Sequence, residues 1–94
     1  MSQAVGLHQQ EVTVVNKYGL HARPAMQFVD VANRYNSAIT VSNGTTEMDA
    51  KSIMSVMQLA ATKGTVLVMK AEGDDAPQAL AALSELVQSG FGEE

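Results

Sequence analysis

Four short stretches of the chain are predicted to be β-strands, and in the first two of them polar and apolar residues alternate, which is the period of strands that bury one face. These stretches are residues 11–15, 38–42, 45–50 and 65–71. Asn43-Gly44 separates the second from the third, and Asn-Gly between alternating segments is a strong signal for a β-hairpin. The last stretch is largely apolar, so we predict that it is a central strand. Residues 1–9 form a short polar tail, which we expect to be flexible.

Three further stretches repeat their apolar residues every three or four positions, which is the spacing of amphipathic helices. They cover residues 22–34, 53–61 and 76–88. Ser52 is a favourable N-cap for the second helix, and we expect Lys63-Gly64 to end it. Asp74 or Asp75 is expected to cap the third helix. The acidic end of the chain, residues 91–94, is expected to be loose.

The predicted elements follow the order βαββαβα, without an internal repeat or a linker. We therefore predict a single domain over residues 1–94. A chain of this size buries enough surface for one modest core but not for a separate catalytic domain. The order fits an α+β fold, in which one antiparallel sheet carries the helices on one face.

Composition excludes several classes of function. The chain has no cysteine, which rules out disulfides and thiolate metal centres, and its two histidines are too few for a convincing metal site. Ten acidic residues outnumber six basic ones, and only two tyrosines and two phenylalanines are present, which argues against nucleic-acid binding. The chain has neither an apolar run of membrane-spanning length nor a secretory signal, so we expect a soluble, cytoplasmic protein.

One histidine, His21, lies where a glycine-containing loop meets the start of the first predicted helix. The first N–H groups of a helix have no intrahelical partner, so an anion on the ring would meet hydrogen-bond donors. Arg23 is close enough in sequence to add charge-assisted hydrogen bonds. Since histidine forms covalent intermediates, GLHARPA suits a phosphoryl group that is accepted and passed on. The residues alone also fit an ordinary loop histidine beside a solvated arginine.

The start of the second helix carries further candidates. Ser52 fits a helix cap, and a phosphate on its hydroxyl would also be tolerated at a helix N-terminus, so both roles are compatible. Ile53, Met54 and Met57 cannot all face the core of one helix together with its other apolar residues, so some apolar surface must be exposed. Methionine suits adaptable contacts with partner proteins, although it also serves as core filler.

The segments GLHARPAMQF and KSIMSVMQLAATKGT resemble the HPr family, the histidine-containing phosphocarriers of the bacterial phosphoenolpyruvate-dependent phosphotransferase system. The resemblance runs from residue 10 to residue 88 in the same element order. It implies an open-faced β-sandwich, with a four-stranded antiparallel sheet and three helices on one face. It also implies that His21 receives a phosphoryl group from Enzyme I on Nδ1 and passes it to EIIA-type domains, while Arg23 supports the phosphohistidine.

By the same resemblance, Ser52 is the residue that HPr kinase/phosphorylase modifies. The implied partner-docking surface comprises Leu20, Met26, Ile53, Met54 and Met57. Asp30 and Asn33 occupy a side of the first helix that carries lysines in some members, so we expect charge pairing with partners to differ. The segments NKYGLHARPAM and QSGFGEE also resemble NPr, the carrier of the nitrogen-related branch, which leaves the branch open.

The resemblance thus implies a phosphoryl carrier with no turnover of its own, no metal and no cofactor. Its implied partners are Enzyme I, EIIA-type domains and HPr kinase/phosphorylase, and we expect a monomer because little apolar surface remains beyond the methionines. A second interpretation is a regulatory binding protein, phosphorylated on Ser52, that acts on transcription factors or metabolic enzymes. The presence of both His21 and Arg23 argues against a purely regulatory role, which would not need them.

Overall fold

The computed structural model describes residues 7–93 of the chain. The strands within these residues are β1 (Leu7–Thr13), β2 (Ala38–Ser42), β3 (Glu47–Asp49) and β4 (Val66–Glu72). The helices are α1 (Ala22–Ala32), α2 (Ile53–Gln58) and α3 (Ala76–Gln88), followed by a 3₁₀ turn over Gly90–Gly92. The predicted order of strands and helices is therefore confirmed.

The strands form one antiparallel sheet in the order β1-β4-β2-β3. β4 lies between β1 and β2, which confirms the prediction of a central strand from its apolar sequence. Alternate strand side chains, such as Val12, Val41 and Met69, are buried, and the intervening ones lie on the opposite, open face. The helices cover the buried face, so the predicted α+β open-faced β-sandwich is confirmed.

The core between the sheet and the helices is built from apolar side chains of the three helices and of the strands. Phe28 of α1, Val56 of α2 and Leu83 of α3 join Leu67 of β4 in one buried cluster. α3, with 13 residues, packs against both β1 and β4. Within residues 7–93, no helix is both long enough and apolar enough to cross a bilayer.

β1 begins earlier and ends earlier than the predicted strand over residues 11–15. Residues 7–9 pair with residues 70–72 of β4, so the prediction of a flexible tail is wrong for residues 7–9. Their side chains are exposed, so no alternating pattern marks this part of the strand. Backbone hydrogen bonds to β4 order the segment without burial of its side chains. Residues 1–6, the rest of the predicted tail, lie outside the described residues.

The hairpin at Asn43-Gly44 is confirmed, with Gly44 at a φ of +103°. The Asn43 side-chain oxygen accepts hydrogen bonds from the N–H groups of Thr45 and Thr46, at 3.0 and 2.9 Å. These two residues therefore belong to the turn, and β3 covers Glu47–Asp49 instead of the predicted residues 45–50.

α2 is shorter than the predicted residues 53–61. It ends at Gln58, because Ala60 adopts a left-handed conformation with a φ of +49°. The chain then turns, and the carbonyl oxygen of Ala61 accepts a hydrogen bond from the N–H of Leu20 at 2.9 Å. The prediction that Lys63-Gly64 ends the helix is wrong, since these residues belong to the turn that leads into β4.

The Asp75 carboxylate does not cap α3, although Asp75 occupies the N-cap position. It accepts hydrogen bonds from the Ser37 hydroxyl and from the N–H groups of Asn36 and Ser37, the latter two at 2.8 and 3.0 Å. The bond from the Ser37 hydroxyl and then that from the Asn36 N–H hold the pKa of Asp75 below its usual range. The carboxylate thus ties the turn before β2 to the start of α3.

The segment after α3 is folded back onto the domain, so the expectation of a loose end is wrong for residues 91–93. Phe91 is buried in the core cluster and adopts a φ of +59° within the 3₁₀ turn. The buried ring anchors the turn, and the chain that follows brings Glu93 to the loop before α1. Glu94 lies outside the described residues.

Candidate functional site

His21 is the N-cap residue of α1, with extended backbone angles and no hydrogen bond from its side chain to the helix. Its carbonyl oxygen accepts the N–H of Ala25 at 3.0 Å, and its side chain is 42% exposed. Among the described residues, the N–H groups of Ala22 and Arg23 have no backbone acceptor. The ring therefore projects from a helix N-terminus that offers hydrogen-bond donors to an anion.

Gly19 sets the path of the loop that precedes His21. It has a φ of +67°, and a Cβ at this position would lie 2.2 Å from the carbonyl oxygen of Ala61. The next residue, Leu20, donates its N–H to that oxygen. Only glycine fits between these two backbone segments, because it has no Cβ and tolerates a positive φ.

Glu93 contacts the imidazole of His21 from the other end of the chain. Its carboxylate oxygens lie 3.1 and 3.3 Å from Nε2 of the ring. The buried side chain of Asn16 donates through Nδ2 to the same carboxylate at 3.1 Å and to the Gly19 carbonyl at 2.8 Å. A carboxylate only accepts hydrogen bonds, so this contact favours the ring tautomer that carries its proton on Nε2. In that neutral tautomer, Nδ1 retains its lone pair.

Tyr18 and Lys17 complete the surroundings of the ring. The Tyr18 ring meets the His21 ring edge to face, with centroids 6.1 Å apart, and Lys17 Nζ lies 5.3 Å from the centre of the Tyr18 ring. Lys17, Tyr18, His21 and Glu93 line an open cleft of about 520 Å³. The sequence did not predict Lys17, Tyr18 or Glu93 as site residues. The one local signal for them was Tyr18, an aromatic residue close to His21 in the loop.

Arg23 lies in the first turn of α1, and its side chain is exposed. It has no ion pair with residues 7–93, so the structure places it near His21 along the chain without joining the two side chains. Its guanidinium is accessible to a group bound at the start of the helix.

Ser52 is the N-cap of α2, as predicted. Its hydroxyl oxygen accepts a hydrogen bond from the N–H of Ser55 at 3.3 Å, and the residue is partly exposed. The capping role is therefore confirmed.

The predicted docking residues differ in exposure. Met26 on α1 and Met54 and Met57 on α2 are exposed, by 58%, 71% and 43%, and the two helices pack against each other. Ile53 is partly buried against the core. Leu20 is buried, with 4% exposure, so its prediction as a surface residue is wrong. It anchors the loop in the core while the adjacent His21 points outward.

Among residues 7–93, no three histidine, aspartate or glutamate side chains are grouped closely enough to hold a metal ion.

Comparisons with known proteins found similar chains that match most of this one. The family model described as the PTS HPr component phosphorylation site matches residues 8–89. The phosphocarrier protein HPr of Pseudomonas aeruginosa is 50% identical over 84 residues, which cover 88% of this chain and 93% of the relative.

Two solved structures are similar throughout the domain. HPr-C-His from Thermoanaerobacter tengcongensis has a TM-score of 0.89 at 44% identity and covers 93% of this chain and 98% of its own. An HPr dimer from the same organism has a TM-score of 0.74 at 45% identity, with coverages of 89% and 99%. Both structures have the same fold as this chain, and at 44% and 45% identity they also belong to the same sequence family.

Proposed function

The chain belongs to the HPr family of phosphocarrier proteins of the phosphotransferase system, and we propose that His21 accepts a phosphoryl group from Enzyme I and passes it to EIIA-type domains. A phosphocarrier is a transfer intermediate and not an enzyme with turnover. The observation that carries the proposal is the half-exposed imidazole of His21 at a helix N-terminus, with Nε2 engaged by Glu93 and Nδ1 left as the acceptor.

The proposed transfer uses groups at the start of α1. The Nδ1 lone pair attacks phosphorus while the bond between phosphorus and the donor breaks, and the donor keeps that electron pair. The N–H groups of Ala22 and Arg23 then face the transferred oxygens, and the Arg23 guanidinium adds charge-assisted hydrogen bonds. In the onward step, the acceptor on the EIIA-type domain attacks the same phosphorus, and the electron pair of the N–P bond returns to Nδ1.

Intact-protein mass spectrometry after incubation with phosphoenolpyruvate and Enzyme I tests this function. We expect a gain of one phosphate that is lost in acid, because the P–N bond of a phosphohistidine is labile there. Omission of Enzyme I is the control and should abolish the gain. A protein that gains no acid-labile phosphate, but gains an acid-stable one from HPr kinase/phosphorylase, would instead favour the regulatory binding protein.

We also propose that Ser52 is a regulatory phosphorylation site for HPr kinase/phosphorylase. Its hydroxyl is partly exposed, and its role in the native state is to accept the N–H of Ser55. A phosphate supplies three acceptor oxygens at the same helix start, so α2 retains its cap after modification. The added negative charge would then act on partners that dock beside the exposed Met54 and not through unfolding.

Ser52→Asp is expected to slow phosphorylation of His21 by about 3–10-fold, because a charge at an interface rim mainly alters association and the incoming phosphoryl group is anionic. Aspartate caps helices as well as serine does, so the free energy of unfolding should change by no more than about 0.5 kcal/mol. Rapid-quench labelling measures the rate. Ser52→Asn keeps a capping oxygen without the charge and should react at the wild-type rate. Equal rates for the aspartate variant and the wild type would contradict a regulatory charge at this position.

We propose that partners dock on the exposed methionines of α1 and α2, Met26, Met54 and Met57, in the cytoplasm. Their flexible thioether side chains can adapt to more than one partner, which a carrier with separate donors and acceptors requires. The proposed carrier is a monomer, so that this surface stays accessible. Since one similar protein forms a dimer, light scattering at working concentration is the check.

A further inference from the structure

The geometry points to Glu93 as a positioning residue that holds a proton on Nε2 of His21, so that Nδ1 is the nucleophile on acceptance and the ring departs as neutral imidazole on donation. This inference rests on the proposed phosphocarrier function and adds a residue from the opposite end of the chain to it. Glu93 and His21 are 72 positions apart in sequence, so only the fold brings them together.

The carboxylate is held in place from two sides. Asn16, which is 2% exposed, donates an Nδ2 hydrogen to it at 3.1 Å, and the buried Phe91 anchors the turn that precedes it. The Glu93 side chain is itself only 22% exposed, whereas that of His21 is 42% exposed. Glu93, the more fixed of the two residues, therefore orients His21. Its carboxylate contacts Nε2 of the ring and makes no contact with Nδ1.

The proton on Nε2 matters in both transfer steps. When Nδ1 attacks phosphorus, the ring gains positive charge, and the carboxylate 3.1 Å from Nε2 offsets that charge. When the phosphoryl group leaves, the N–P electron pair returns to Nδ1 and the ring departs as neutral imidazole, because Nε2 kept its proton. Without that proton the departing group would be the imidazolate anion, which is a far poorer leaving group.

The test compares Glu93→Ala and Glu93→Gln with the wild type in transfer from Enzyme I and onward to an EIIA domain. Glu93→Ala should slow both steps by about tenfold, the effect of one charge-assisted hydrogen bond. Glu93→Gln keeps an acceptor oxygen without the charge and should recover part of the rate. Glu85→Ala is the matched control, because it removes the same charge from the exposed surface of α3, beside Arg34, and should react at the wild-type rate.

Nitrogen-15 NMR of the His21 ring supplies a readout that a merely structural role would not move. The wild type should show the proton on Nε2 in both the free and the phosphorylated ring. Glu93→Ala should shift both ring-nitrogen resonances, while its backbone spectrum remains that of a folded protein. Wild-type rates together with unchanged ring shifts in Glu93→Ala would overturn the inference and leave the carrier function intact. A wild-type protein that takes no label from Enzyme I would overturn the proposed function, and this inference with it.

Discussion

His21→Ala is expected to remove all phosphoenolpyruvate-dependent, acid-labile phosphate from the protein while leaving its fold intact. The loss should be complete within detection, because the variant lacks the imidazole that accepts the phosphoryl group at the start of α1. The cost in stability should be small, about 1 kcal/mol. The ring is half-exposed, donates no capping bond to α1, and loses only its contacts with Tyr18 and Glu93.

His8→Ala is the matched control for this experiment, since His8 is the other histidine of the chain. His8 lies in β1, where its backbone pairs with Ala71 and its side chain is exposed. Its replacement should leave labelling unchanged. Thermal unfolding and circular dichroism of both variants confirm that the fold persists. Acid-labile label retained by folded His21→Ala would place the acceptor elsewhere and remove the proposed function from this site.

The features that could be predicted from the sequence depend on neighbouring residues. The Asn43-Gly44 hairpin, the Ser52 cap and the full extent of α3 follow from short-range conformational preferences and from the spacing of apolar residues. The position of His21 at the start of a helix also follows from residues beside it, since a loop with Gly19 precedes it and an apolar stripe follows. Local signals therefore made His21 a candidate, and the resemblance to the HPr family made it the proposed acceptor.

The features that were missed depend on contacts between distant segments. Asp75 looked like a helix cap, but its carboxylate bonds residues 36 and 37 instead, 38 or 39 positions away. Leu20 stands next to the exposed His21 and yet is buried, because adjacent residues of the loop point in opposite directions. Glu93 seemed part of a loose acidic end, and no short-range pattern indicates that the buried Phe91 folds it back.

The position of Arg23 suits a site that binds a phosphoryl group transiently and passes it on, and does not hold it tightly. Its guanidinium has no ion pair with the described residues, so it is not held against the ring before the phosphoryl group arrives. Glu93, in contrast, already contacts Nε2. In the proposed mechanism, Glu93 therefore prepares the ring and Arg23 responds to the phosphoryl group, as a site that both accepts and releases this group requires.

Gly19→Ala is expected to lower both stability and transfer, because the new methyl group has no space. Its Cβ would lie 2.2 Å from the carbonyl oxygen of Ala61 and 2.8 Å from Thr62 Cα, and both are backbone atoms that cannot rotate away. The positive φ of +67° adds its own cost for a residue with a Cβ. We expect a loss of about 3 kcal/mol or more in the free energy of unfolding, measured by urea denaturation.

The clash should also reduce phosphoryl transfer at His21 by at least about tenfold, even at temperatures where the variant is folded, since a small displacement of a reacting group is costly. Relief of the clash requires the loop to move away from Ala61, which breaks the hydrogen bond from Leu20 and shifts the ring from Glu93. Gly44→Ala is the control that separates the effect of backbone strain from the effect of a steric clash. Its φ is +103°, but no atom lies within 4 Å of the added Cβ. It should lose only about 1–2 kcal/mol and transfer normally. Equal behaviour of the two variants would show that the close approach of Gly19 to Ala61 does not position His21.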